Sequence, residues 1–533
     1  MIAENNLVLK NGIFHTLDAR RPLAPAAAIR GNQILFIGSN EEAEAIFAGE
    51  VYTAVNLKQA AVIPGLTDAH VHFEWYSTGL QAIDAETPTL EEVLGKVEER
   101  TRSIPQGKWI TGYGWNHNVW GENFPSAGQL DRVSPHHPVA LVAKSAHASW
   151  VNSAALRLAG ITDTTPNPPG GQIVRDPAGK ATGLLLEEAM RLVDRIIPSP
   201  TPEELVEMVR QGMENANRLG LTGIHDMDQP SVFRAFQSLQ RTGQLTLRVN
   251  KSIPLAYLEQ AIAAGFQTGF GNDLLHIGPV KMFADGALGP KTAWMLSGYD
   301  SSPEDRGIST TDIEVIYESV LKANTNGLAT AIHAIGDRAN REILNIYAEV
   351  KRTQPFTGMR NRIEHVQLLS LEDSGRLAEL GVIASMQPIH ATSDMDIAEK
   401  HWGSRLAGAY AWKTQLEKGA VLAFGSDCPV ETMNPLAGIH AAVTRRRADG
   451  SPGPDGWRSE QRLTVEEAVR GYTIGPAYAA GMEDRLGILA PGYLADMTIL
   501  DRDIFTIDPM EILNTRVLGT IVDGKFAWRD ASL

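Results

Sequence analysis

Apolar positions change their spacing along the chain. At both ends they come in short runs separated by turn residues. Leu7-Val8-Leu9 leads into Asn11-Gly12, Ala26 to Arg30 leads into Gly31-Asn32, and Ile34-Leu35-Phe36-Ile37 follows. Near the other end Met497-Thr498-Ile499-Leu500 is a strand candidate, and Thr520-Ile521-Val522, Asp523-Gly524 and Phe526-Ala527-Trp528 form a hairpin pattern. Asn and Gly accept the positive φ of tight hairpin turns, so a hairpin is expected at Asn11-Gly12 as well. Short strands at both termini predict one composite β-sandwich from residues 1–57 and 486–533.

The middle has a different rhythm. Short apolar runs alternate with helix-spaced stretches. The runs are Ala61–His72, Leu221–Asp226, Leu247–Ile253, Gly278–Phe283, Ala329–Ile335, Arg362–Val366, Val382–Met386 and Val421–Ser426. Helices are expected at Glu203–Leu219, Asp312–Asn324 and Leu371–Leu380. Eight strand–helix units predict an α/β fold, a (β/α)8 TIM barrel over 58–79 and 211–485. Periodicity alone leaves an open doubly wound sheet as the alternative. The stretch from the first barrel run to Leu221 is far too long for a βα connection. Rich in Gly, Pro and Trp, it predicts an inserted domain over 80–210, after barrel strand 1 at the catalytic end.

Composition narrows the function. The 533 residues suffice for about three domains, and 43% hydrophobic with 21% charged is a globular profile. The net charge of −15 disfavours nucleic acid and anionic membrane as partners. A single cysteine, Cys428, excludes an internal disulfide and fits a reducing, cytoplasmic setting. Met1 to Asn6 lacks the features of a signal peptide, and no apolar run is long enough to span a membrane.

Polar residues then stand out at the strand ends. His70 and His72 lie two apart in Asp68-Ala69-His70-Val71-His72, so a strand points both to one face. His333, His365 and Asp427 end three other runs, and Lys281 lies inside a fourth. A barrel gathers such ends at one mouth. Neutral imidazoles and a carboxylate suit zinc or similar divalent ions, two of them if an anion bridges the pair. Lys281 meets that need if nearby metal charge keeps it neutral and it adds carbon dioxide to become a carbamate. Water bound there becomes a nucleophile near neutral pH.

Ile63-Pro64-Gly65-Leu66 before Ala69-His70-Val71-His72, with Gly425-Ser426-Asp427, resembles the amidohydrolase superfamily. Leu489-Ala490-Pro491-Gly492-Tyr493-Leu494-Ala495-Asp496 resembles its signature at the return to the sandwich. Segments His147–Ser153, Lys281–Gly289 and His333–Asp337 resemble amidohydrolase family 3, the YtcJ-like branch that includes N-substituted formamide deformylase. The resemblance covers essentially the whole chain. It implies His70, His72, Lys281, His333, His365 and Asp427 as the metal positions.

The expected activity is hydrolysis of a C–N bond, in an amide or in an N-acyl or N-formyl compound, linear or cyclic, by a metal-bound hydroxide. Two zinc ions bridged by carbamylated Lys281 are the expected cofactors. Asp427 is the expected proton carrier, and His333 or His147 is expected to polarise the carbonyl. The alternatives are a mononuclear site, an ester, lactone or carbamate substrate, and a non-catalytic binding or regulatory protein. Asp68 is a candidate to orient a histidine ring or a plain turn residue. Asp337 is expected to cap a helix, Cys428 to pack, and His225-Asp226 to be structural. Most of Trp115, Trp150, Phe73, Trp75 and Tyr76 are expected in cores, the remainder lining an apolar pocket under a lid formed by the insert. The substrate is expected to be a small molecule with apolar groups, and the protein a candidate homodimer.

Overall fold

The computed structural model describes residues 6–117, 119–120, 124–144, 147–353 and 358–533. Residues 1–5, on which the signal-peptide expectation rests, lie outside them. Eight strands, all parallel, form one sheet in chain order. They are β1 (Leu66–Val71), β2 (Leu221–Asp226), β3 (Arg248–Pro254), β4 (Leu275–Phe283), β5 (Thr330–Ala334), β6 (Arg362–His365), β7 (Ile383–Met386) and β8 (Leu422–Phe424). Almost all their residues are buried, as in parallel strands covered on both faces. Helices such as Pro202–Arg218, Ile313–Thr325 and Asp337–Thr353 connect them. Asp312 starts one of these by accepting the Glu314 N–H at 2.8 Å.

The sheet closes almost fully. Beyond β8, the Asp427 N–H donates to the His70 carbonyl and the His72 N–H to the Cys428 carbonyl, both at 2.8 Å. Gly425 makes this approach possible: a Cβ there would sit 2.5 Å from the His70 nitrogen and 2.7 Å from an Asp68 carboxylate oxygen. The fold is the expected TIM barrel, with eight strands near the expected positions.

Three local expectations are corrected. The run Ala61–His72 is two strands, not one. Ala61–Pro64 pairs with Met497–Leu500 and Ile13–His15 in a sandwich sheet, and only Leu66–Val71 enters the barrel. Both halves are buried, so the apolar pattern runs unbroken across Gly65. Asn11-Gly12 makes no hairpin. Asn6–Lys10 pairs with Ala26–Arg30 and Thr53–Asn56, whereas Ile13–His15 joins the other sheet. Asn11, at φ 57°, turns the chain from one sheet to the other. Leu371–Leu380 is a 3-10 turn, Leu371–Asp373, followed by the short helix Arg376–Leu380.

The sandwich draws on both chain ends. One sheet has four strands in the order 33–38, 26–30, 6–10, 53–56. The other has six, in the order 525–529, 517–522, 497–500, 61–64, 13–15, 23–24. Leu7, Ile29, Val62, Met497, Ile499 and Ile521 share one core between them. The hairpins at Gly31-Asn32 and Asp523-Gly524 form as expected. Asp496, the last residue of the family-like signature, accepts two bonds from Arg248 of β3, at 2.7 and 2.8 Å.

Residues 77–208 form a second compact unit. Its six-stranded sheet runs in the order 171–175, 181–187, 148–151, 139–143, 110–115, 83–84. Trp115 and Trp150 are fully buried in its core, their ring centroids 6.4 Å apart. They are packing residues of the insert. Among the described residues, no helix is long and apolar enough to cross a membrane.

The Arg248–Asp496 pair is buried on both sides, so Asp496→Ala takes from the guanidinium its two-pronged carboxylate and leaves it the longer bond to Asp523, at 3.2 Å, and the Asp273 carbonyl. The expected cost is about 3–5 kcal/mol, read as a lower midpoint in urea unfolding. An unchanged midpoint would show that the pair does not hold the two parts together.

Candidate active site

The C-terminal ends of β1, β4, β5 and β6, with the segment after β8, bring six predicted residues together. The His70 and His72 ring centroids lie 5.7 Å apart, His70 and His365 4.9 Å, and His333 and His365 4.4 Å. Asp427 Oδ1 is 3.5 Å from His70 Nε2 and 3.4 Å from His72 Nε2. The Lys281 ammonium is buried, without a hydrogen-bond partner, and 4.9 Å from the Phe283 ring centre.

Two of these residues have unusual backbones. His365 has φ 78° and Asp427 φ 60°, both in the left-handed region. Glu364 and His365 are adjacent, and strand alternation alone would point them to opposite faces. The turn at His365 brings its ring into the site that Glu364 also faces. Such strain persists where the surroundings hold it, commonly at functional sites.

Each of the four histidines commits one ring nitrogen to a protein acceptor. His70 Nδ1 donates to Glu364 Oε2 at 2.5 Å and His72 Nδ1 to Asp228 Oδ1 at 2.9 Å. His365 Nδ1 donates to Gln387 Oε1 at 2.8 Å, and His333 Nε2 to the Gly286 carbonyl at 3.0 Å. A neutral imidazole has one N–H. In a neutral ring the other nitrogen is therefore a lone pair, the form that binds a cation, held by an outer partner as metal-ligating histidines are.

Charge follows from burial. Burial, reinforced by Lys281, lowers His70 to about 4 and His333 to about 3; burial and His333 hold His365 well below the ordinary imidazole value. These rings are neutral. Burial also opposes charge on His72, but Asp228 and Asp427 outweigh it and raise that ring to about 9. Burial lowers Lys281 to about 8. Burial alone would raise Asp427, yet His72, His70 and His365 keep it well below the usual carboxylate range, as an anion. Lone pairs from neutral rings, a carboxylate and a buried lysine with no partner suit divalent metal. The sets His70, His72, Asp427 and His365, His390, Asp427 each have ligand atoms within 4.8 Å of one another.

Other candidates separate. Asp68 orients no ring: it accepts from the His70 and Ser426 amides and from the Ser426 hydroxyl, clamping β1 to the segment after β8. Asp337 accepts the Leu296 N–H at 2.8 Å. Cys428 is buried, its thiol pushed up by burial. His225 bonds Arg362, and Asp226 pairs with Lys251. Phe73 is buried against Phe236, and Trp75 is exposed, its ring centre 6.2 Å from that of His72. His147 belongs to the insert, where it bonds Glu187 at 3.0 Å.

Sequence reasoning missed the outer partners Glu364, Asp228, Asp285 and Gln387, and also His390. Asp285 accepts backbone N–H groups from Trp294, Ile335 and Gly336 and lies 3.5 Å from His333 Nε2. A signal existed for Glu364. Arg362 and Glu364 stand at i and i+2 in a buried strand, where two charges must pair.

A parallel eight-stranded barrel with such a mouth defines a class of hydrolase. The chain belongs to the amidohydrolase family, whose family model matches residues 53–527. It is 31% identical to putative amidohydrolase YtcJ of Bacillus subtilis, over 97% of this chain and 98% of that one. It is 28% identical to N-substituted formamide deformylase of Arthrobacter pascens, over 98% of each. The crystal structure of an uncharacterized metal-dependent hydrolase from Pyrococcus horikoshii superposes with a TM-score of 0.78 at 27% identity, covering 95% of this chain and 99% of that one.

Glu364→Gln keeps the shape but removes the charge that holds His70. The expected result is a 10- to 100-fold loss of affinity for added zinc, the scale of such outer partners. Competition with a chromophoric chelator measures it, and unchanged affinity would show that His70 needs no such support.

Proposed function

We propose that the protein hydrolyses the C–N bond of a small amide or N-acyl compound, with N-substituted formamides the first class to try. The carrying observation is the clustering of four imidazoles, three of them neutral, with the Asp427 carboxylate and a partnerless buried Lys281. The similarity to a formamide deformylase over nearly the whole chain supports the substrate class.

The residues that would hold metal are His70, His72, His333, His365 and Asp427, with carbamylated Lys281 as the bridging anion between two zinc ions. When bound, such ions polarise a carbonyl and acidify water. Asp427 takes a proton from the attacking water and delivers it to the leaving nitrogen, so that amine and acid both leave neutral or correctly charged. His333 spends its one N–H on Gly286. His147 gives its own Nδ1–H to Glu187, so carbonyl polarisation stays with His333 or His147, the latter on the strength of its family-like segment. We take the substrate to carry apolar groups and the protein to act in the cytoplasm, as a homodimer.

A panel of N-formyl, N-acetyl and N-aryl amides tests the substrate class, with esters and lactones as controls. Turnover confined to the controls would overturn the C–N reading. Lys281→Ala is expected to lose both metal and turnover, with partial rescue by short carboxylic acids. Full metal content in that variant would sink the bridge. Asp427→Asn is expected to keep much of its metal and lose on the order of a hundredfold in rate; near-normal turnover would move the proton role elsewhere. His147→Ala is expected to change the ranking of small against aryl amides, and an unchanged ranking would remove His147 from the reaction.

A further inference from the structure

His390 lies on the helix Pro388–Trp402, just beyond β7, and is buried. Its Nε2 has no hydrogen-bond partner and sits 3.7 Å from Asp427 Oδ2. With His365 and Asp427 it makes a geometrically plausible group of three metal ligands. The hydrogen bonds argue for a different role.

The His365 and His390 rings are nearly parallel, centroids 6.1 Å apart and planes 10° apart. Each is held by a glutamine from the other's segment. Gln387, three residues before His390, presents its carbonyl to His365 Nδ1 at 2.8 Å. Gln367, two residues after His365, presents its amide N–H to His390 Nδ1 at 3.0 Å. An amide carbonyl only accepts and an amide N–H only donates. His365 therefore carries its proton on Nδ1 and has a lone pair on Nε2. His390 is the reverse: its lone pair is used on Nδ1, and Nε2 carries the proton. A cation binds a lone pair and not an N–H.

We infer that His390 is not a metal ligand but an N–H donor that positions Asp427. Its Nε2–H faces Oδ2 and leaves Oδ1 toward His70 and His72. The crossed glutamines set opposite tautomers in two stacked rings, making one a ligand and the other a positioning residue. This rests on the reading of Asp427 as proton carrier. A buried N–H with no acceptor is costly, and closing the 3.7 Å gap to the Asp427 carboxylate would remove that cost.

The test uses the full chain loaded with zinc, and the variants His390→Leu and His390→Gln. Metal per chain, kcat and KM on an amide turned over by the wild type, and nitrogen NMR of 15N-histidine-labelled protein are read together. In the wild type, the ring signal missing from both variants is expected to report a proton on Nε2 and no metal. His390→Leu is expected to keep the wild-type metal content and KM while kcat falls on the order of ten- to a hundredfold, the range of a misplaced acid–base group. His390→Gln, whose amide N–H reaches about as far as Nε2, is expected to recover most of that loss.

Loss of a metal ion in both variants, a ring protonated on Nδ1, or an unchanged kcat in His390→Leu would each overturn the inference. Wild-type protein that turns over no compound at all would instead overturn the hydrolase reading, and the tautomer and metal content would still decide the role of His390. Should His390→Leu fold poorly, the wild-type tautomer and the His390→Gln metal content decide alone.

Discussion

A fully buried carboxylate holds the centre of the barrel. Glu364 has no exposed surface, and the Arg362 guanidinium beside it is almost as hidden. Arg362 donates to Glu364 on its own strand, to the Ala69 carbonyl on β1 and to Ser385 on β7, and it bonds His225 on β2. One ion pair thus ties four strands. The same carboxylate accepts the hydrogen bond of the His70 Nδ1–H and leaves Nε2 bare. Burial would raise Glu364, but Arg362 and His70 hold it well below the usual range, so it remains an anion. Pairs this deep contribute little net stability and lose much when one partner goes. What this one supplies is a fixed tautomer at the site.

The rest of the mouth repeats that logic with weaker partners. Asp228, Gln387 and the Gly286 carbonyl do for His72, His365 and His333 what Glu364 does for His70. Burial keeps three of the four rings neutral, so those three offer lone pairs rather than positive charge, and His72 is the charged one, held so by Asp228 and Asp427. Asp68 locks the seam where the barrel closes, and burial pushes it up to about 7 despite its bonds to Ser426 and His70. Gly425 leaves room for that seam. The geometry of the site and the closure of the sheet are one construction.

The barrel was legible because its strands are buried on both faces and its polar residues cluster at one end of each. His70, His72, Lys281, His333, His365 and Asp427 all broke an apolar run, and a barrel makes such breaks neighbours. Residues acting through others were not legible this way. Asp228 lies just past its strand like any turn aspartate, and Gln387 and Gln367 are neutral amides with no spacing rule. His390 sits on a helix, where a lone buried histidine reads as packing. The split at Gly65 was hidden because both halves of Ala61–His72 are equally buried. Asn11-Gly12 has hairpin chemistry, but its flanking strands go to different sheets, a choice made by long-range pairing.

The central proposal is that this mouth would hold two divalent ions, with carbamylated Lys281 among their ligands. Anomalous X-ray diffraction at the zinc edge, on crystals of the zinc-loaded full chain, tests it most directly. Two peaks about 3.5–4 Å apart are expected, one beside His70 and His72 and the other beside His333 and His365, with carbamate density continuing from Lys281 Nζ between them. A single peak with a bare lysine, or no peak among these residues, would contradict it.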